Sequence, residues 1–138
     1  MLKTVIFLGL CVSATVGTRF LFGVELRCPL DSVFEFKIEH KEADDGCRLF
    51  WCDYDDMITS KMTLTAWKKL FFYQDGSQDG DKGFGMYDPY ALIHHNCSSD
   101  GKILVYRHNL KRIPQSIGLV FMDYAINLLD KSGYGSEE

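Results

Sequence analysis

The segment from Phe34 to His40 alternates without a break: Phe34, Phe36 and Ile38 fall on one side, and Glu35, Lys37 and Glu39 fall on the other. Period two is the spacing of a strand, and a 3.6-residue helix would scatter these positions around its axis. A strand with one apolar and one charged face is half-buried in an antiparallel sheet. It needs neighbouring strands, and the sequence offers them. Leu49–Trp51, Leu70–Tyr73, Tyr90–His95 and Ile103–Tyr106 are short runs of strand-forming residues. Leu119–Met122 leads into Tyr124–Leu128 as a last strand pair or one bent strand. The stretch from Met57 to Leu70 carries Thr59, Thr63 and Thr65, whose β-branched side chains favour strand over helix. Turn residues separate these runs at Ala43–Gly46, Asp75–Gly83 and Ser98–Gly101. About seven short strands with regular turns predict an all-β sandwich. No repeat or linker divides the chain, and 138 residues suit one domain.

The N-terminus reads differently. Lys3 precedes an apolar run, Val5–Val12, and small residues follow at Ser13, Ala14, Thr15 and Gly17. That order predicts a secretory signal peptide over residues 1–17, cleaved near Ala14 to Gly17. The run is shorter than the roughly 20 apolar residues of a transmembrane helix. Losing Lys3 would take the formal charge from −4 to −5. Such an acidic balance argues against a nucleic-acid partner, which needs a basic patch or stripe.

Cleavage would also remove Cys11 and leave Cys28, Cys47, Cys52 and Cys97. Four cysteines in an oxidising compartment predict two disulfides, with three connectivities open. Cys47 and Cys52 are close enough in sequence to close a small loop, with Cys28 and Cys97 then joining distant parts of the chain. The C-x4-C spacing lacks the second matched pair a zinc site would need.

The string from Tyr87 to Cys97 resembles the signature of the nematode transthyretin-like family: Asp88-Pro89, an apolar strand, then His95-Asn96-Cys97. Val24–Cys28, Thr65–Gly76, Ile113-Pro114 and Asp123–Leu128 are similar to further family segments and fall in family order. Ala66 and Lys69 stand where the family has Asp and Gly, and no Cys follows Cys97, so the chain resembles a divergent member. The resemblance implies a disulfide-stabilised, transthyretin-like (prealbumin-like), seven-stranded sandwich over residues 18–130, with a frayed polar tail at 131–138. It further implies a secreted, extracellular binding protein. The ligand would be a hydrophobic small molecule, a lipid or a cell-surface protein, with a homo-oligomer as a further expectation. A structural or host-facing protein without a small-molecule ligand is the alternative, and a transthyretin-related hydrolase a weaker one.

Several residues invite chemical readings. His94 and His95 are adjacent on a strand and so face opposite sides; His95 with Cys97 could hold a metal, but a structural role fits better. Asn96-Cys97-Ser98 is a glycosylation acceptor pattern. Asp75, Ser77, Asp79 and Gly80 resemble half of a calcium loop, but Met86 stands where a bidentate Glu is needed. Trp51, Trp67, Phe71, Phe72 and Tyr73 would form a ligand or partner patch if exposed together. Gly133-Tyr134-Gly135-Ser136 only echoes the Tyr-Arg-Gly-Ser ending of the transthyretin-related hydrolases, and no nucleophile elbow or zinc-protease motif is present. The chain therefore reads as a non-enzyme, with no catalytic residue, cofactor or metal.

Overall fold

The computed structural model describes residues 17–43, 55–79 and 85–136. They form eleven strands and no helix: β1 (Thr18–Arg27), β2 (Val33–Glu42), β3 (Asp56–Met57), β4 (Met62–Trp67), β5 (Lys69–Gln78), β6 (Met86–Tyr87), β7 (Pro89–His95), β8 (Leu104–Asn109), β9 (Ile113–Pro114), β10 (Leu119–Asn127) and β11 (Gly133–Ser136). One sheet has three strands in the order β10-β1-β5. The other has six, in the order β11-β8-β7-β2-β3, with β4 also paired to β2. β6 and β9 form a small ribbon.

The alternation in β2 sets the layering. Phe34, Phe36 and Ile38 are buried, and the even positions of β1, Phe20, Phe22, Val24 and Leu26, are wholly buried opposite them. The two sheets meet across this seam. Phe22 stacks on His40 with ring centroids 3.7 Å apart, and Phe36 on Phe72 at 5.6 Å. Each buried aromatic removes a large apolar area from water, so this seam dominates the stabilisation. Cys28 and Cys97, just past the ends of β1 and β7, are joined by a disulfide. It ties the two sheets together at one end.

Several expectations need correcting. Asp75–Gln78 are strand rather than polar loop, because β1 pairs along their whole length, from Leu21↔Asp75 to Thr18↔Gln78. Gly76 permits this: a Cβ there would lie 1.9 Å from the Ile58 carbonyl oxygen. Gly133–Ser136 do not fray; they pair in parallel with Tyr106–Asn109. Of the two readings of Leu119–Leu128, the single strand holds and the strand pair does not, since β1 ladders it from Arg19↔Leu119 to Arg27↔Asn127. The alternation of β2 also lapses, because Glu39 and His40 are both buried. Lys61 Nζ lies 3.7 Å from the Glu39 carboxylate and makes its burial tolerable. Leu49–Trp51 and most of the leader lie outside the described residues.

Candidate functional site: an open aromatic sheet face

The odd positions of β1, β5 and β10 point away from the core. On an outer sheet face they should be polar, as Arg19, Asp75 and Asp123 are. Among them, however, stand Phe71, Tyr73, Leu119 and Phe121, each between 51% and 66% exposed, with Leu21 half-buried between them. The ladder gathers them. Leu21 is flanked by Phe121 on one side and Asp75 on the other, and Gly23 by Asp123 and Tyr73. Gly23 puts no side chain of its own at the centre of the face. A Cβ there would meet Asp123 Oδ1 at 2.1 Å and Tyr73 Cε1 at 3.2 Å, so both side chains lean across it. Phe71 and Tyr73 meet edge to face at 4.9 Å. Arg19 and Asp75 pair at 3.5 Å along the rim. Between Tyr73, Leu119 and Phe121 lies a shallow depression of about 510 Å³. Clustered exposed aromatics on a rigid sheet are the usual composition of an interaction surface.

A second feature adjoins this face. β10 pairs with β1 on one side only, and a groove of about 560 Å³ runs along its other side. Its walls are Asp123–Asn127, Tyr106, His108, Lys131 and Ser136.

Behind both lies a buried histidine network. His40 Nε2 is 2.6 Å from the Tyr124 hydroxyl, and the Thr59 hydroxyl accepts from the His40 backbone N–H at 2.9 Å. Burial pushes the His40 imidazole down to about 3, only partly offset by a hydrogen bond with Gln74, so the ring is neutral. His108 stacks on Tyr124 at 5.3 Å. Burial, and then the Lys131 charge, hold it below the usual histidine range.

The residues singled out in the sequence are dispersed. Asp88 is held by Arg112, whose guanidinium donates at 3.1 Å. Pro89 opens β7, and its carbonyl accepts from the Leu110 N–H at 2.9 Å. His95 is buried with Nε2 2.9 Å from the Lys131 carbonyl, a fixed position inside the fold. Asn96 caps β2, its Oδ1 accepting from the Glu35 N–H at 2.8 Å. Cys97 is in the disulfide with Cys28. Among the patch residues, Phe71 and Tyr73 lie on the aromatic face. Trp67 is exposed but sits on β4 in the other sheet, and Phe72 turns inward to the core. Trp51, Cys47 and Cys52 lie outside the described residues. Asp75 and Ser77 are strand residues, and among the described residues no three His, Cys, Asp or Glu side chains gather as a metal ion would need. Leu119 and Phe121 were not legible as a surface. Their signal was parity: Phe121 shares a face with Asp123 and Asn127.

The chain is similar to Protein lin-61 of Caenorhabditis elegans, with 44% identity over 128 residues. The match covers 92% of this chain and 20% of that protein, so the chain spans about one fifth of its relative's length. No family model matches the chain, and no solved structure matches it. These findings correct the identification made from the Asp88-Pro89 and His95-Asn96-Cys97 strings. The match is to Protein lin-61, and no transthyretin-like family is found. Short strings of strand and turn residues recur without kinship, whereas identity along 128 residues does not. The expectations built on that family fall with it. These are the extracellular binding function and its hydrophobic, lipid or cell-surface partners; the secreted location, read from the leader at residues 1–17, is overturned by the same match.

Proposed function

We propose that this chain is a protein-interaction module whose docking surface is the outer face of the β10-β1-β5 sheet. The observation that carries this reading is the gathering of Phe71, Tyr73, Leu119 and Phe121, all more than half exposed, on the face centred at Gly23. Four large apolar side chains on one face are costly in water unless something covers them. The relative's length, about five times that of this chain, fits a module working beside further protein. The role is non-enzymatic: His40 and His95 spend their Nε2 atoms on internal partners, Tyr124 and the Lys131 carbonyl. We further read the two sheets as halves of a prealbumin-like sandwich. Seven strands have six or more residues, with β10-β1-β5 on one side and β4-β2-β7-β8 on the other.

A photo-crosslinker placed at Phe121, and separately at exposed Ile103 on the opposite sheet as control, tests the docking face. In an extract of the native tissue, position 121 should give a discrete protein adduct that Phe71→Ser and Tyr73→Ser remove, while position 103 gives none. Equal adducts at both positions, or none at 121, would sink the reading.

A further inference from the structure

β10 is nine residues long and has no second strand beside it among the described residues. The Gly118 carbonyl and the Leu128 N–H both bond to β1, at 2.9 and 2.8 Å. In a regular strand the N–H and C=O of alternate residues turn the same way. The even positions of β10 therefore ladder to β1, and Asp123, Ala125 and Asn127 present their backbone groups to the groove. Free edges are normally blunted by lysine, proline or a bulge. β10, Leu-Val-Phe-Met-Asp-Tyr-Ala-Ile-Asn, has neither lysine nor proline.

The far wall of the groove is equally specific. His108 is only 5% exposed, lines the groove, and its Nε2 has no hydrogen-bond partner. The Tyr106 hydroxyl lies 3.3 Å from its Nδ1. With that hydroxyl donating to Nδ1, the neutral ring carries its proton on Nε2, a donor in want of an acceptor. Lys131, its ammonium 5.5 Å from the centre of the Tyr106 ring, brings a positive charge to the same wall. A strand laid along β10 would alternate its side chains, one set continuing the aromatic outer face and the other pointing inward at His108 and Lys131.

We propose that the β10 groove binds an extended peptide segment of a partner protein as a fourth strand of the sheet, with an acidic side chain directed inward to Lys131 and His108. This rests on the reading of the open sheet as a protein-docking surface and states how the partner engages it. Backbone pairing with Asp123, Ala125 and Asn127 supplies affinity, as in other strand-addition complexes. The carboxylate supplies register and selectivity, since it satisfies one buried donor and one charge together.

The probe is a set of acetylated heptapeptide amides, Thr-Val-Thr-X-Thr-Val-Thr, with X varied, titrated into the full chain by isothermal titration calorimetry. Peptides with X as Glu or Asp should bind about tenfold more tightly than those with X as Gln or Lys, the scale of a hydrogen bond to a charged group. N-methylation of alternate peptide amides should abolish binding. Ala125→Pro, which removes one groove-facing N–H and leaves the β1 ladder intact, should weaken it about tenfold or more. Lys131→Gln should erase the preference for Glu, and Lys131→Arg should restore it. No binding by any member, or binding indifferent to N-methylation and to Ala125→Pro, would overturn the proposal. So would competition by free acetate at the peptide's own concentration, which would mark a small-anion site only. Self-association through β10 on ultracentrifugation would assign the edge to a second copy and overturn it likewise. The crosslink at position 121 and the peptide titration are separate readouts on separate residues, so the two readings fail separately.

Discussion

Two glycines on neighbouring strands show how differently one residue type can be constrained. Gly76 faces the backbone carbonyl of Ile58, which is held by the Ser77 N–H while the Ile58 N–H bonds the His40 carbonyl; Gly23 faces the end of the Asp123 side chain, which can rotate away. Gly76→Ala should therefore cost about 2 kcal/mol or more, the range of overpacking a rigid site, and Gly23→Ala under about 1 kcal/mol. Urea denaturation of both variants checks this, and equal losses would contradict it. His40 supplies a pH test. Its folded-state value lies near 3, well below the ordinary 6.5 of an exposed imidazole, so the unfolded chain binds the extra proton. The contribution is fully present above about pH 6.5 and is lost as pH falls toward about 3, at roughly 1.4 kcal/mol per pH unit. His95 and His108 are also held low by burial, and act in the same direction. The urea midpoint should drop between pH 7 and pH 5, and the drop should shrink in His40→Gln. A midpoint that is flat over that range would contradict the neutral buried ring.

Among the elements, β2 was the most legible in sequence. Its Phe34, Phe36 and Ile38 repeat needs no tertiary information to mark a half-buried strand. β5 was legible only in its first half. Asp75, Gly76 and Ser77 carry turn chemistry, and only the tertiary partner β1 overrides that preference. β11 was unreadable for the same reason, being made of Gly-Tyr-Gly-Ser and held by pairing with β8. The aromatic face suffered from a related ambiguity, because Phe71, Phe72 and Tyr73 are one apolar run in sequence. Only the register separates Phe72 in the core from its two neighbours outside. The join between Cys28 and Cys97 acts at this scale too. It spans a sequence separation of 69 residues. The chain-entropy relation gives about 4 kcal/mol for a loop of that size. The double variant Cys28→Ser, Cys97→Ser should lose stability of that order in guanidinium titration, and a loss under about 1 kcal/mol would show the link to be idle.

At the scale of the whole molecule, the outer aromatic face should be nearly irrelevant to stability and decisive for association. Phe121→Ser removes no core contact, so its thermal midpoint should stay within a few degrees of the parent. Phe22→Ala, at the seam of both sheets, should cost about 3–5 kcal/mol. Differential scanning calorimetry of the pair separates surface from core directly. The parallel pairing of β1 with β10 carries a further consequence, for synthesis. Arg19, near the start of β1, pairs with Leu119, the first residue of β10. A ribosome delivers β1 long before β10 exists, and the three-stranded sheet cannot close until the last strand leaves the exit tunnel. Until then Phe20, Phe22, Val24 and Leu26 have only half their shelter. Pairings this distant in sequence form slowly and leave apolar strands open to wrong partners. Nascent chains stalled before Leu119 should therefore remain protease-sensitive and chaperone-bound, and protection should arrive in one step once β10 has emerged.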